Sequence, residues 1–128
     1  MTRWLPQLLR GPRRSPATRL PQPPRAARRV PVGHLHTHTA ESLVVLTTAP
    51  EALPVLRAAL AGGHALHLTC PGTRDVTLMP GEGSPALDPD EGWLIPLPEE
   101  TREFLLHDVP ERAGAWELPG TNVGLVLE

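Results

Sequence analysis

Ser42-Leu43-Val44-Val45-Leu46-Thr47-Thr48-Ala49-Pro50-Glu51-Ala52-Leu53-Pro54-Val55-Leu56-Arg57-Ala58-Ala59-Leu60-Ala61-Gly62-Gly63-His64-Ala65-Leu66-His67-Leu68-Thr69-Cys70 is the stretch on which the fold class turns. Residues 42–47 form a short, β-branched, continuously apolar run, the pattern of a strand covered on both faces. Thr48 stands three residues before Glu51, a capping-box spacing, and Leu53, Val55, Leu56, Ala59 and Leu60 then predict a helix that Gly62-Gly63 stops. Pro54 is tolerated only in the first helical turn, where its missing N–H would have no partner anyway. Residues 64–70 read as a second strand. A strand, helix, strand succession of this length predicts a βαβ crossover with parallel strands.

Outward from this stretch, residues 75–79, 92–97, 115–118 and 123–127 are further candidate strands, and Glu99 to His107 is a candidate short helix. Gly81 to Gly92, with Asp88, Asp90 and Glu91, reads as a solvated loop. The expectation is an α/β or α+β fold, a small mixed sheet built on one βαβ unit at residues 40–128. Residues 1–33 are expected to be a disordered Arg/Pro-rich tail.

Charge marks the same boundary. Residues 1–40 hold eight arginines and no acid, and residues 41–128 hold all fourteen acids against four arginines, so +8 adjoins −10. Seven prolines between Met1 and Pro31 forbid a continuous helix there, leaving Thr2 to Arg10 as one amphipathic turn with Trp4, Leu5, Leu8 and Leu9 together. Three readings of the tail follow: a mitochondrial transit peptide cleaved near Arg28 to Gly33, a basic arm for nucleic acid, or an upstream stretch without function behind a mis-set start. Of these, a lone Trp4 is too little for a base-stacking platform. The single Cys70 excludes an intramolecular disulfide and suits a reducing compartment, and no apolar run approaches the roughly 20 residues of a membrane span. The expected location is the cytoplasm, or the mitochondrial matrix if the tail directs import.

The sharpest local pattern is His34-Leu35-His36-Thr37-His38-Thr39-Ala40-Glu41-Ser42, whose alternating histidines project to one face of an extended segment. It resembles the first motif of the PHP family of metal-dependent phosphoesterases. That resemblance implies His36 and His38 as a ligand pair for zinc, manganese or iron, with Ser42 at the motif's serine. His34 stands where the family carries an aspartate, Leu43 and Val44 replace its Asp-Gly, and the match spans nine residues, against the far longer chain of a PHP barrel. A second resemblance, of Trp116-Glu117-Leu118-Pro119-Gly120 to the opening of the Nudix box, stops at Gly120. The eight residues beyond contain no Arg-Glu or Glu-Glu pair, so a strand-turn-strand with Trp116 in the core is the reading.

In a parallel βαβ unit, ligands bind beyond the carboxyl ends of the strands, which points to Thr47, Thr48 and Arg74 as anion-binding groups near a helix N-terminus. His64, His67 and Cys70 alternate across a strand and cannot all meet one ion. The sequence thus predicts a non-catalytic binding module with no cofactor and with a protein partner or self-association. A −10 body disfavours nucleic acid. The alternatives are a divalent-metal hydrolase using His36 and His38, and a nucleic-acid-associated protein acting through the basic arm.

Overall fold

Described by the computed structural model are residues 27–128 together with Pro21 and Pro24. They form strands β1 (Ala27–Pro31), β2 (Leu35–Ala40) and β3 (Leu43–Thr48), helix α1 (Ala52–Ala61), strands β4 (Ala65–Thr69), β5 (Val76–Pro80), β6 (Ala86–Asp88) and β7 (Gly92–Leu97), helix α2 (Glu99–His107), and strands β8 (Gly114–Glu117) and β9 (Val123–Leu127). The strands divide into a five-stranded sheet ordered β1-β4-β5-β7-β6 and a four-stranded sheet ordered β2-β3-β9-β8, both mixed in direction. The small mixed α+β class read from the sequence is the one observed. The predicted helix at residues 2–10 and the targeting and arm readings lie outside the described residues.

The βαβ succession is present, but its two strands do not pair with each other. Glu41 and Ser42 close a tight hairpin that lays β2 antiparallel on one side of β3, with Glu41 at φ +57°, and β9 lies parallel on the other side. Both edges of β3 are therefore taken. β4 is likewise flanked, by β1 in parallel and β5 in antiparallel register. Helix α1 thus carries the chain from one sheet to the other, and the predicted parallel pairing of residues 42–47 with 64–70 is corrected to membership of two sheets. The same finding moves the start of the fold. Residues 27–31, assigned from composition to the tail, are the parallel neighbour of β4, and Val30 and Val32 pack against the core.

Glu51, not Thr48, is the N-cap of α1 and makes no side-chain capping bond, so the Thr48/Glu51 capping box is not formed. The amides of Ala52 and Leu53 instead donate to the carbonyls of Ala49 and Pro50 at 3.0 and 3.1 Å. Pro54 falls in this first turn, where it removes no intrahelical bond. At the other end, Gly63 takes a left-handed φ of +74° and the His64 amide reaches back to the Ala59 carbonyl at 2.8 Å, an ending that favours glycine. Leu53, Leu56 and Leu60 enter one core with Leu46 and Leu125 of the four-stranded sheet and Leu66, Leu68, Ile95 and Leu97 of the five-stranded sheet. Each fully buried side chain of this kind contributes about 1.5–3 kcal/mol. Arg57 locks the two helices together, its Nε–H donating to the Leu105 carbonyl at 2.8 Å and Nη2 to that of Val109. Among the described residues no helix is long and apolar enough to cross a membrane.

Candidate functional site

Because side chains alternate along a strand, β2 turns Leu35 into the core at 2% exposure and leaves His36 and His38 in solvent. Their rings lie side by side with centroids 5.4 Å apart and planes inclined by 33°. They border an open cleft of about 500 Å³, together with Thr37 and Thr39 of the same strand. Four consecutive residues of one strand line a single cleft only when it follows the strand's edge, and β2 is an edge strand with β3 as its one neighbour.

The opposite wall comes from the five-stranded sheet: Gly72, Thr73 and Arg74 between β4 and β5, Leu87 on β6 and Trp93 on β7. Cys70-Pro71-Gly72-Thr73 is a turn with proline second and glycine third at φ +84°, closed by the Thr73 amide donating to the Cys70 carbonyl at 3.2 Å. Beyond Arg74 the chain is anchored again at Asp75. Its carboxylate accepts from Nε2–H of His67 at 2.8 Å, which in the neutral ring leaves Nδ1 to accept from the Thr77 hydroxyl at 2.9 Å. The Asp75 carbonyl accepts from the Trp93 amide at 2.9 Å. Asp75 therefore fixes Arg74 and Trp93 in the same cleft. At the β6–β7 turn, Oδ1 of Asp88 accepts from the amides of Asp90 and Glu91 at 2.8 and 2.9 Å, holding Leu87 at the rim.

Three departures from ordinary globular chemistry coincide here. Leu87, 44% exposed, is among the described residues the one large hydrophobic side chain left in solvent. Thr37 Oγ1 is among them the one buried side-chain oxygen with no hydrogen-bond partner. No carboxylate lines the cleft, although six arginines face fourteen acids between Ala27 and Glu128. The cleft accordingly presents two imidazoles, one guanidinium and three threonines beside an apolar strip.

Of the residues singled out from sequence, His36, His38 and Arg74 are brought together. Thr47 and Thr48 are not: both are buried, at 7% and 3% exposure, and neither lines the cleft. The Thr48 hydroxyl donates to the His34 carbonyl at 2.8 Å, and its own carbonyl accepts from the Glu128 amide at 3.0 Å. The cause is topological. With β3 and β4 in different sheets, their carboxyl ends do not form the crevice of a parallel βαβ unit. His36 and His38 supply two ligands where a tetrahedral metal needs four, and among the described residues no group of three or more His, Cys, Asp or Glu side chains converges. His67 is at 5% exposure and engaged on both nitrogens. Sequence reasoning missed Trp93 and Leu87, whose signal is only their position on either side of an acidic turn.

No family model and no curated protein matches the sequence. Among solved structures, the chain is similar to the crystal structure of Drosophila Suppressor of Fused, with 15% identity and a TM-score of 0.50 over 81% of this chain. The likeness is one of fold. It spans 30% of the length of that chain.

Proposed function

We propose that this domain is a non-catalytic binding module and that a protein partner docks in the cleft between the edge of β2 and the β4–β5 turn. The observation that carries this reading is the cleft itself, in which exposed Leu87 and partly buried Trp93 adjoin His36, His38 and Arg74, polar side chains with no hydrogen-bond partner among the described residues, the mix of apolar and polar groups that contact surfaces present. The volume lies within the roughly 300–1,000 Å³ of ligand clefts. The one buried histidine of the described core is spent on structural bonds, its hydroxyl partner Thr77 being 1% exposed and out of reach of any substrate.

The test is retention of a host protein on the immobilised full chain, followed by titration with that protein once purified. Leu87→Ser should abolish retention, and Arg112→Gln, on an exposed loop away from the cleft, should preserve it. Equal retention by Leu87→Ser would overturn the assignment of the cleft. Stoichiometric zinc, manganese or iron in chelator-free protein, lost in His36→Ala, would overturn the non-catalytic reading in favour of a metal-dependent hydrolase.

A further inference from the structure

The cleft's chemistry narrows its occupant. Arg57 and Arg102 are spent on backbone carbonyls, Arg57 on those of Leu105 and Val109 and Arg102 on that of Leu97. Arg74 makes no hydrogen bond or ion pair among the described residues and lines a cleft without a carboxylate, on the wall that faces two exposed imidazoles. At a ring separation of 5.4 Å, N–H groups of both histidines can reach one carboxylate through charge-assisted bonds of about 2.8 Å. Leu87 and Trp93 stand on the opposite wall, so the anion site lies beside an apolar one.

We propose that the cleft receives a short acidic segment of a protein partner, its carboxylate held by His36, His38 and Arg74 and an adjoining apolar side chain covered by Leu87 and Trp93. This rests on the binding-module reading and names the partner's chemistry. A peptide fits better than a nucleic acid. The domain from Ala27 onward is eight charges negative by formal count, so a polyanion that spreads phosphates beyond the cleft meets repulsion on all sides, and a segment with two or three carboxylates does not. The apolar strip also has no counterpart in a phosphate backbone.

The experiment uses the full chain and fluorescein-labelled hexapeptides. One is Glu-Leu-Glu-Glu-Leu-Glu, and the other is its uncharged isostere Gln-Leu-Gln-Gln-Leu-Gln; a uridine hexanucleotide is the competing probe. The acidic peptide is expected to bind at least tenfold more tightly than the glutamine peptide and more tightly than the hexanucleotide. Arg74→Gln should remove about tenfold of that affinity, as should the double variant His36→Gln/His38→Gln, and Arg112→Gln should remove none. All of these positions are exposed, so loss of folding is not a competing cause, and circular dichroism checks it directly. Equal affinity for the two peptides, tighter binding of the hexanucleotide, or indifference to Arg74→Gln would each overturn the proposal. So would self-association of the chain that Arg74→Gln abolishes, because the occupant would then be a second copy. If the acidic peptide fails while retention of a host protein still depends on Leu87, the binding module stands and only its acidic partner falls.

Discussion

Replacing His67 by leucine tests whether the buried network beside the cleft is structural. His67 and Thr77 are directly opposed in the β4–β5 register and are 5% and 1% exposed. Removing the imidazole leaves the Thr77 hydroxyl buried without a partner, which costs about 1–3 kcal/mol. The lost bond to Asp75 adds less, roughly 0.5 kcal/mol, because that carboxylate is 38% exposed and water replaces the imidazole. Leucine restores most of the apolar volume, so the sum is about 1.5–3.5 kcal/mol, or a fall in Tm of roughly 6–28 °C for a domain of this size. Urea unfolding followed by far-ultraviolet circular dichroism measures it. The decisive variant is His67→Leu/Thr77→Val, in which both polar partners leave together. Its cost should fall below that of His67→Leu alone, a coupling of at least about 1 kcal/mol. Strictly additive costs, or a single-variant loss under about 1 kcal/mol, would refute the claim that the two groups satisfy each other.

Two further outcomes follow from the fold. Gly92→Ala drives a methyl group into the Asp75 carbonyl oxygen at a φ of +85°, so it should cost at least about 3 kcal/mol, whereas Gly63→Ala at φ +74° has open space and should cost about 1 kcal/mol; equal Tm shifts would remove the close approach as the cause. A chain starting at His34 loses β1 and the partly buried Val30 and Val32, and should unfold about 2–4 kcal/mol more easily than one starting at Ala27, which differential calorimetry resolves. Cleavage between Arg28 and Gly33, as a transit-peptide reading would have it, therefore removes an edge strand and does not release an intact domain.

Much of the fold was legible because its periodicities are local. Gly92–Leu97, Glu99–His107 and Val123–Leu127 are observed with the bounds that their apolar patterns predict. What escaped was decided by distant partners. β1 carries Arg28-Arg29 and resembles the basic tail in composition, and it becomes a strand only because the edge of β4 is free to accept it. β2 reads as a histidine motif because its outward face carries His36 and His38, and its strand character comes from register with β3. The cleft joins residues 36–39, 72–74, 87 and 93, so no spacing within one segment announces it. His36 and His38 stand out in the sequence as a candidate ligand pair, and Arg74 as a candidate anion donor beside Thr47 and Thr48, which the fold places away from it. The common property of His36, His38 and Arg74, a donor with no partner among the described residues of an acidic domain, is visible only in three dimensions.

The charge division of the chain has a kinetic consequence opposite to the one its arginines suggest. Between Ala27 and Glu128 fourteen acids outnumber six arginines, so the field at a distance is that of eight net negative charges, and the positive cleft acts only at contact. An acidic peptide approaching a chain that begins at Ala27 feels that net repulsion out to about the Debye length, roughly 10 Å at 0.1 M salt and longer at lower salt, and feels the attraction of the cleft only at contact. Its association rate should therefore rise a few-fold as salt goes from about 20 to 200 mM, and its dissociation rate should rise as well, because the same ions weaken the contact pairs. Stopped-flow anisotropy separates the two rates. A steep fall in the association rate with salt would mean that the positive field extends past the cleft, and the cleft would then be an attractor for polyanions in general.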